Sequence, residues 1–194
     1  MVGWSTSGPD ASSCNFAPAE KGEGWVFGAN APEVGPQVAD ADQRALQWIA
    51  FMKSRGIGRV CCLLDPSALR RWTGTGLIEL YRQELGAEAV LHAPIGDYAT
   101  CDTDLFLGTI LPFLEAVERS GEKTVVHCMA GFGRTGQVLA AWLIAARGLG
   151  VADAVERVTK AGASRDPLQA SVVKGLEFLR AVQAARASRV GGVP

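Results

Sequence analysis

Two residues six positions apart hold the clearest chemical signal in this chain, Cys128 and Arg134, in the run Val125-Val126-His127-Cys128-Met129-Ala130-Gly131-Phe132-Gly133-Arg134-Thr135-Gly136. The run reads as a strand, a cysteine, a five-residue loop, an Arg-Thr pair and a helix start. Such a strand delivers Cys128 to the C-terminal edge of a sheet, where α/β proteins build their sites. The loop Met129, Ala130, Gly131, Phe132, Gly133 must then curl tightly, and its glycines permit the backbone angles that curling needs. A curled loop turns successive N–H groups inward and makes an anion nest. The helix that follows adds the positive end of its dipole. A phosphate fits that cradle, and the same field stabilises the thiolate, the nucleophilic form of cysteine. Arg134 can lay its planar fork on two phosphate oxygens and grip harder as charge spreads in the transition state. Thr135 can donate its hydroxyl to the sulfur, steadying it as nucleophile and as leaving group.

These residues resemble the H-C-x5-R-[ST] signature of the protein tyrosine phosphatase superfamily, and within it the dual-specificity branch, where H-C-x-x-G-x-G-R-[ST]-G is typical. Cysteine and arginine at this spacing are weak evidence alone. The preceding strand, Gly131, Gly133, Gly136 and the following helix make the match specific. A Walker-type nucleotide loop is excluded, because Arg134 stands where that motif needs Lys and the glycine spacing is too short. The plainer reading is a buried cysteine ending a strand.

A leaving alkoxide or phenoxide needs a proton, usually from a carboxylic acid on a nearby loop. In the resembling family that acid follows a P-I-x pattern after a strand, and Asp97 in Pro94-Ile95-Gly96-Asp97 holds the position. Asp102 and Asp104 compete on the same loop, but with Thr103 they read better as helix caps. The family also often carries a basic residue near the pocket rim, matched by Arg165, for which a solvated loop arginine is the alternative. A glutamine that positions water in many relatives falls at Gly175, a departure from the pattern.

His127 is expected to orient the loop through hydrogen bonds, and His92 to be structural. Cys61 and Cys62, adjacent in a strand, must face opposite sides of the sheet. Two small buried hydrophobes explain them best, with a protective disulfide to Cys128 on oxidation as the alternative. Cys101 is a second redox candidate. Tyr98 and Phe132 could wall the cleft or stack on substrate. Trp25, Trp48, Trp72 and Trp142 read as packing residues.

The elements that must position this constellation follow along the chain. Strands are expected near 24–28, 59–64, 89–95 and 124–128. Helices are expected around 46–52, ended by Gly56, and over 77–85, 134–147, 151–162 and 167–187. A further helix carries Ile110, Leu114 and Val117, and Pro112 should kink it or delay its start. Residues 1–23, rich in Gly, Ser, Ala and Pro, read as loosely ordered, with Trp4 and Phe16 able to dock. Residues 24–187 read as one catalytic domain and 188–194 as a tail. Alternating strands and helices imply an α/β fold, a three-layer α/β/α sandwich with a mainly parallel sheet of four or five strands.

The chain has 194 residues, 19 basic and 20 acidic, with a net charge of −1. That balance offers no global attraction to nucleic acid or to acidic membranes. No run is long and apolar enough to span a bilayer, and no secretory leader is evident, so a cytoplasmic protein is expected, as a monomer. Five cysteines, an odd count without a C-x-x-C pair, argue against a disulfide framework and a structural zinc site. The resemblance implies no metal and no organic cofactor. It implies a phosphorylated protein or peptide as substrate, at Tyr and at Ser or Thr, hydrolysed through a phospho-cysteine. Three alternatives remain open: an inositol-polyphosphate or other small-molecule phosphatase, an RNA 5′-phosphatase, and a non-catalytic phospho-binding module. The loop Met129–Gly133 lacks the lysine usual in phosphoinositide phosphatases.

Overall fold

The computed structural model of the protein describes residues 8–34 and 40–191. Five strands form one sheet: β1 (Ala17–Pro18), β2 (Val26–Ala29), β3 (Ile57–Cys62), β4 (Val90–His92) and β5 (Lys123–His127). Their spatial order is β1-β2-β5-β3-β4, parallel throughout except for the antiparallel edge strand β1. β5 is central, hydrogen-bonded to β2 and β3, with His127 opposite Ala29 and Cys62. Fully buried on both faces, Thr124, Val125 and Val126 form the apolar run expected of a parallel-sheet interior.

Two apolar clusters lie on opposite sides of the sheet. One gathers α1 (Ala41–Ser54) and α3 (Leu77–Leu85) around Trp48, Ile49, Leu77 and Tyr81. The other gathers α5 (Leu111–Ser120), α6 (Gly133–Arg147), α7 (Val151–Ala161) and α8 (Val172–Gly191) around Leu114, Trp142, Val158 and Leu179. The result is the three-layer α/β/α sandwich. Cys61 belongs to one cluster and Cys62 to the other, as strand alternation requires. Short helices α2 (Pro66–Leu69) and α4 (Thr103–Leu105) follow the C-terminal ends of β3 and β4.

Local signals account for the boundaries. Asp40 caps α1 by accepting from Gln43 N at 2.9 Å. Gly121 and Gly148 end α5 and α6 in the left-handed conformation that glycine adopts freely. Pro112 stands in the first turn of α5, which begins only at Leu111. A π-helical stretch, Phe106–Ile110, joins α4 to α5, with Leu111 N bonding back to Phe106 O. The widened turn sits directly before the proline, which has no N–H to give and whose ring crowds the preceding turn.

Both ends depart from expectation. Residues 8–23 pack firmly on the body: Cys14 and Ala19 are fully buried, and Phe16 stacks on Phe27 with ring centroids 5.2 Å apart. The buried Glu23 carboxylate pairs with Arg147 at 2.9 Å and accepts from Trp142 Nε1. Small residues let this segment lie close to the sheet edge, and its partners come from far along the chain. Trp4 lies outside the described residues. The expected tail is helical as far as Gly191, because α8 simply continues.

Candidate active site

β5 ends at His127, and Cys128 opens the loop at the C-terminal edge of the sheet. The loop carbonyls bond outward. Met129 O accepts from Ala31 N at 3.0 Å, Gly131 O from Asn15 Nδ2 at 3.2 Å, and Phe132 O from Gly136 N at 2.9 Å. Carbonyls engaged in this way leave the loop amides free to turn toward an anion, which is the arrangement a nest needs. Gly131 has φ +73°, and a Cβ there would come within 2.7 Å of the Ala29 backbone. Only glycine fits this point, on conformational and on steric grounds.

Cys128, Met129, Ala130, Phe132, Gly133 and Arg134 share one cavity of about 300 Å3 with Asp97, Tyr98, Ala99, Gln169 and Ala170. Cys128 is almost fully buried at its floor. Arg134, the first-turn arginine of α6, is buried too, and three oxygens fix its guanidinium. Nη1 donates to Ile95 O at 3.0 Å and lies 3.7 Å from Asp65 Oδ2, and Nη2 pairs with Asp97 Oδ1 at 2.8 Å. The predicted phosphate-binding cation and the predicted acid are thus in direct contact in the cavity that Cys128 also lines. The Asp97 side chain remains 66% exposed.

Asp102 and Asp104 are not in the cavity. Asp102 caps α4 by accepting from Leu105 N at 3.0 Å, and Asp104 sits exposed in the first turn. Asp65 is a carboxylate near the site that the sequence did not single out. It caps α2, and hydrogen bonds from Ser67 and Ala68, joined by the Arg134 charge, hold its carboxyl below the usual range. A carboxylate so engaged is a poor proton donor. Asp97 accepts from Tyr98 N besides its pair with Arg134.

Thr135 is fully buried, but its Oγ1 has no hydrogen-bond partner among the described residues, so the expected bond to sulfur is not formed in this state. His127 is buried among Trp48 and Tyr81 rings. Burial pushes its pKa down to about 4, so the ring is neutral. Its Nδ1 then donates to Cys128 O at 3.2 Å, and its Nε2 accepts from the Tyr81 hydroxyl at 3.1 Å. That chain fixes the carbonyl of the cysteine, in keeping with an orienting histidine. His92 Nε2 donates to Leu64 O at 2.8 Å and is structural.

Arg165 is neither at the rim nor solvated. It is buried, and its guanidinium donates to Pro18 O, Ala17 O and Gly28 O at 2.7, 2.7 and 3.0 Å. Burial lowers its pKa to about 10. Gly175 is buried against Leu168, away from the cavity, and the glutamine on the cavity wall is Gln169. The sequence reading missed it because the turn before α8 starts that helix at Val172 rather than 167. Gln137 was also missed: its buried Oε1 accepts from Cys101 N at 2.6 Å and ties the end of the acid loop to α6. The five cysteines are all free thiols. Burial drives the thiols of Cys14, Cys62 and Cys101 up to about 12 and raises Cys61 well above its ordinary value, so none of these four is a ready nucleophile. Tyr98 is 74% exposed at the cavity mouth and Phe132 is half-buried in its wall. Among the described residues, no cluster of His, Cys, Asp or Glu could hold a metal ion, and no helix is long and apolar enough to cross a membrane.

A cysteine at the end of a central parallel strand, followed by a tight glycine-containing loop and an arginine opening the next helix, defines an α/β cysteine-phosphatase fold. Comparison with known proteins agrees. The sequence model described as the catalytic domain of dual specificity phosphatases matches residues 78–182, more than half of the chain, and the chain belongs to that family. The dual specificity protein phosphatase OPG106 of monkeypox virus is 31% identical over 55 residues, 28% of this chain and 32% of the viral protein. This chain therefore matches about a third of the length of that relative. Among solved structures, Tk-PTP in its active form superposes with a TM-score of 0.64 at 24% identity, covering 84% of this chain and 93% of that one. Kinase associated phosphatase superposes at 0.67 with 19% identity, covering 84% and 88%. At these identities the structural matches bear on the fold.

Proposed function

We propose that this protein hydrolyses phosphate monoesters of phosphorylated proteins or peptides, at Tyr and at Ser or Thr, through a phospho-cysteine at Cys128. The observation that carries the reading is the convergence of Cys128, Arg134 and Asp97 on one cavity. In the first step the Cys128 thiolate attacks phosphorus, and the ester P–O bond breaks as the P–S bond forms. The amides of Met129 to Gly133 and the Arg134 fork take the equatorial oxygens, where charge spreads. Asp97 exchanges its contact with Arg134 for the leaving oxygen and gives it a proton. In the second step Asp97 takes a proton from water, the water oxygen bonds to phosphorus, and the sulfur leaves as thiolate. Thr135 reaches the sulfur by rotating its hydroxyl, which has no competing partner to give up. Gln169, on the cavity wall beside Gly133, is placed to hold the attacking water.

Arg134 is the sole basic side chain lining the cavity among the described residues. One cation and one ring of amides suit a single phosphoryl group better than a polyphosphorylated inositol. No metal or organic cofactor enters these steps. The free cysteines suit a reducing, cytoplasmic setting.

Steady-state hydrolysis of a phosphopeptide panel and of soluble inositol phosphates by the wild-type protein, Cys128→Ser and Asp97→Asn tests the reading. Turnover of phosphopeptides that disappears in Cys128→Ser supports it. Preference for inositol phosphates would move the substrate class, and binding without turnover would make the protein a phospho-binding module.

A further inference from the structure

The N-terminal segment reaches the phosphate loop through one side chain. Residues 10–16 form a closed turn: Ser13 N donates to Asp10 Oδ1 at 2.8 Å, Asp10 N to Ser13 Oγ at 3.0 Å, and Phe16 N to Ala11 O at 2.8 Å. The turn is tied to Asn30, the residue after β2, by two hydrogen bonds. Asn30 N donates to Cys14 O at 2.9 Å and Asn30 Nδ2 to Ser13 O at 2.8 Å, with the Cys14 side chain sunk in the core. At its end Asn15 has φ +46°, a left-handed conformation that asparagine tolerates better than most residues. Its buried carboxamide spends both ends on loops of the site. Nδ2 donates to Gly131 O at 3.2 Å, and Oδ1 accepts from Ala163 N at 3.1 Å.

Gly131 is the middle residue of the five-residue loop. Its peptide must keep the carbonyl outside for the neighbouring amide to face the anion. The carbonyl is buried, so without a donor its cheapest relief is rotation of the peptide toward water or toward the cavity. The second bond holds the segment that leads from Ala163 to Gln169. From this geometry we infer that Asn15 is a positioning residue for the oxyanion site. It acts through the Gly131 carbonyl to keep the phosphate loop in its anion-binding form. The inference builds on the phosphatase reading for its ligand, a phosphoryl oxyanion, but concerns binding rather than turnover.

Two variants of the full chain separate this role from plain packing. Asn15→Gly removes the carboxamide while keeping the left-handed backbone at ease. Asn15→Asp keeps an acceptor for Ala163 N and loses the donor to Gly131 O. Calorimetric titration with inorganic phosphate gives a dissociation constant and a stoichiometry. A merely structural loss lowers the number of competent molecules and leaves the constant of the remainder alone. We expect both variants to bind phosphate about tenfold more weakly, the size of one lost buried hydrogen bond, at unchanged stoichiometry. Wild-type affinity in Asn15→Asp would overturn the inference, since only the Ala163 bond would then matter. So would a change confined to stoichiometry in either variant, or wild-type affinity in Asn15→Gly. If Asn15→Gly fails to fold, Asn15→Asp alone decides. Phosphate binding without hydrolysis of an aryl phosphate by the wild-type protein would sink the phosphatase reading and leave this one standing. Absence of phosphate binding by the wild-type protein would overturn both.

Discussion

The two loops that meet over Cys128 are built in opposite ways. The phosphate loop is pinned along its length: Met129, Gly131 and Phe132 each have a carbonyl bonded outward, and Gly131 lies on the Ala29 backbone. The acid loop is pinned at its ends, through Ile95 at one and Cys101 at the other, and between them by the pair of Asp97 with Arg134. Between them Asp97 and Tyr98 stand exposed, Tyr98 at φ +53°. Under the proposed mechanism the phosphate loop presents several amides at once to a fixed anion, and such a cradle gains from being over-determined. Under the same mechanism Asp97 leaves Arg134 to follow a leaving group whose identity changes with substrate, which suits a tip held at one contact.

Substitutions can break this contrast, beginning with the largest effect. Cys128→Ser removes the nucleophile from an intact cradle, and kcat should fall on the order of 10^5-fold while phosphate still binds. Asp97→Asn should slow phosphopeptide hydrolysis about 10^3-fold but activated aryl phosphates far less, since a good leaving group needs little protonation. Equal losses on both would remove Asp97 as the acid. Gly131→Ala, which forces a Cβ against the Ala29 backbone, should cost about 10^2-fold in kcat/KM on every substrate alike, as misplacement of a cradle does. A leaving-group dependence there would blur the distinction between the loops. Gln137→Met keeps the side-chain volume and removes the acceptor for Cys101 N. It should cost about tenfold, with the leaving-group dependence of Asp97→Asn in milder form.

A last effect concerns stability rather than rate, as a pH dependence. The neutral His127 has a folded pKa of about 4 against an ordinary 6.5. Between those values the unfolded chain binds the proton that the folded one refuses, so stability rises with pH through this window and falls on acidification. The difference amounts to about 3 kcal/mol at full extent. His127→Asn should flatten the melting temperature between pH 7 and pH 4 relative to the wild-type protein. An unchanged slope would place the acid sensitivity elsewhere.

Sequence and structure agree most where function compresses many constraints into few residues. The run from Val125 to Gly136 announces its strand, its glycines and its helix in order, and Asp97 follows its strand directly. What stayed hidden depends on contacts between distant segments. Asn15 meets Gly131 across 116 positions, and Arg165 meets Ala17 across 148. No periodicity marks such pairs, and a stretch of small residues reads as loose until its partners are in place. Gln169 escaped for a different reason, since a shift of a few residues in a helix start changes which side chain faces the cavity. Adjacency within a strand did place Cys61 and Cys62 on opposite faces, because strand geometry alone dictates it.

The fork of Arg165 has a consequence for solubility. β1 is two residues long and lies at the rim of the sheet, and the arginine occupies carbonyls of both its residues together with one on β2. A brief outer strand whose acceptors are already taken from within is a poor template for a foreign strand. Deleting the residues before Val26 would bare the full hydrogen-bonding flank of β2 and invite one molecule to zip onto the next.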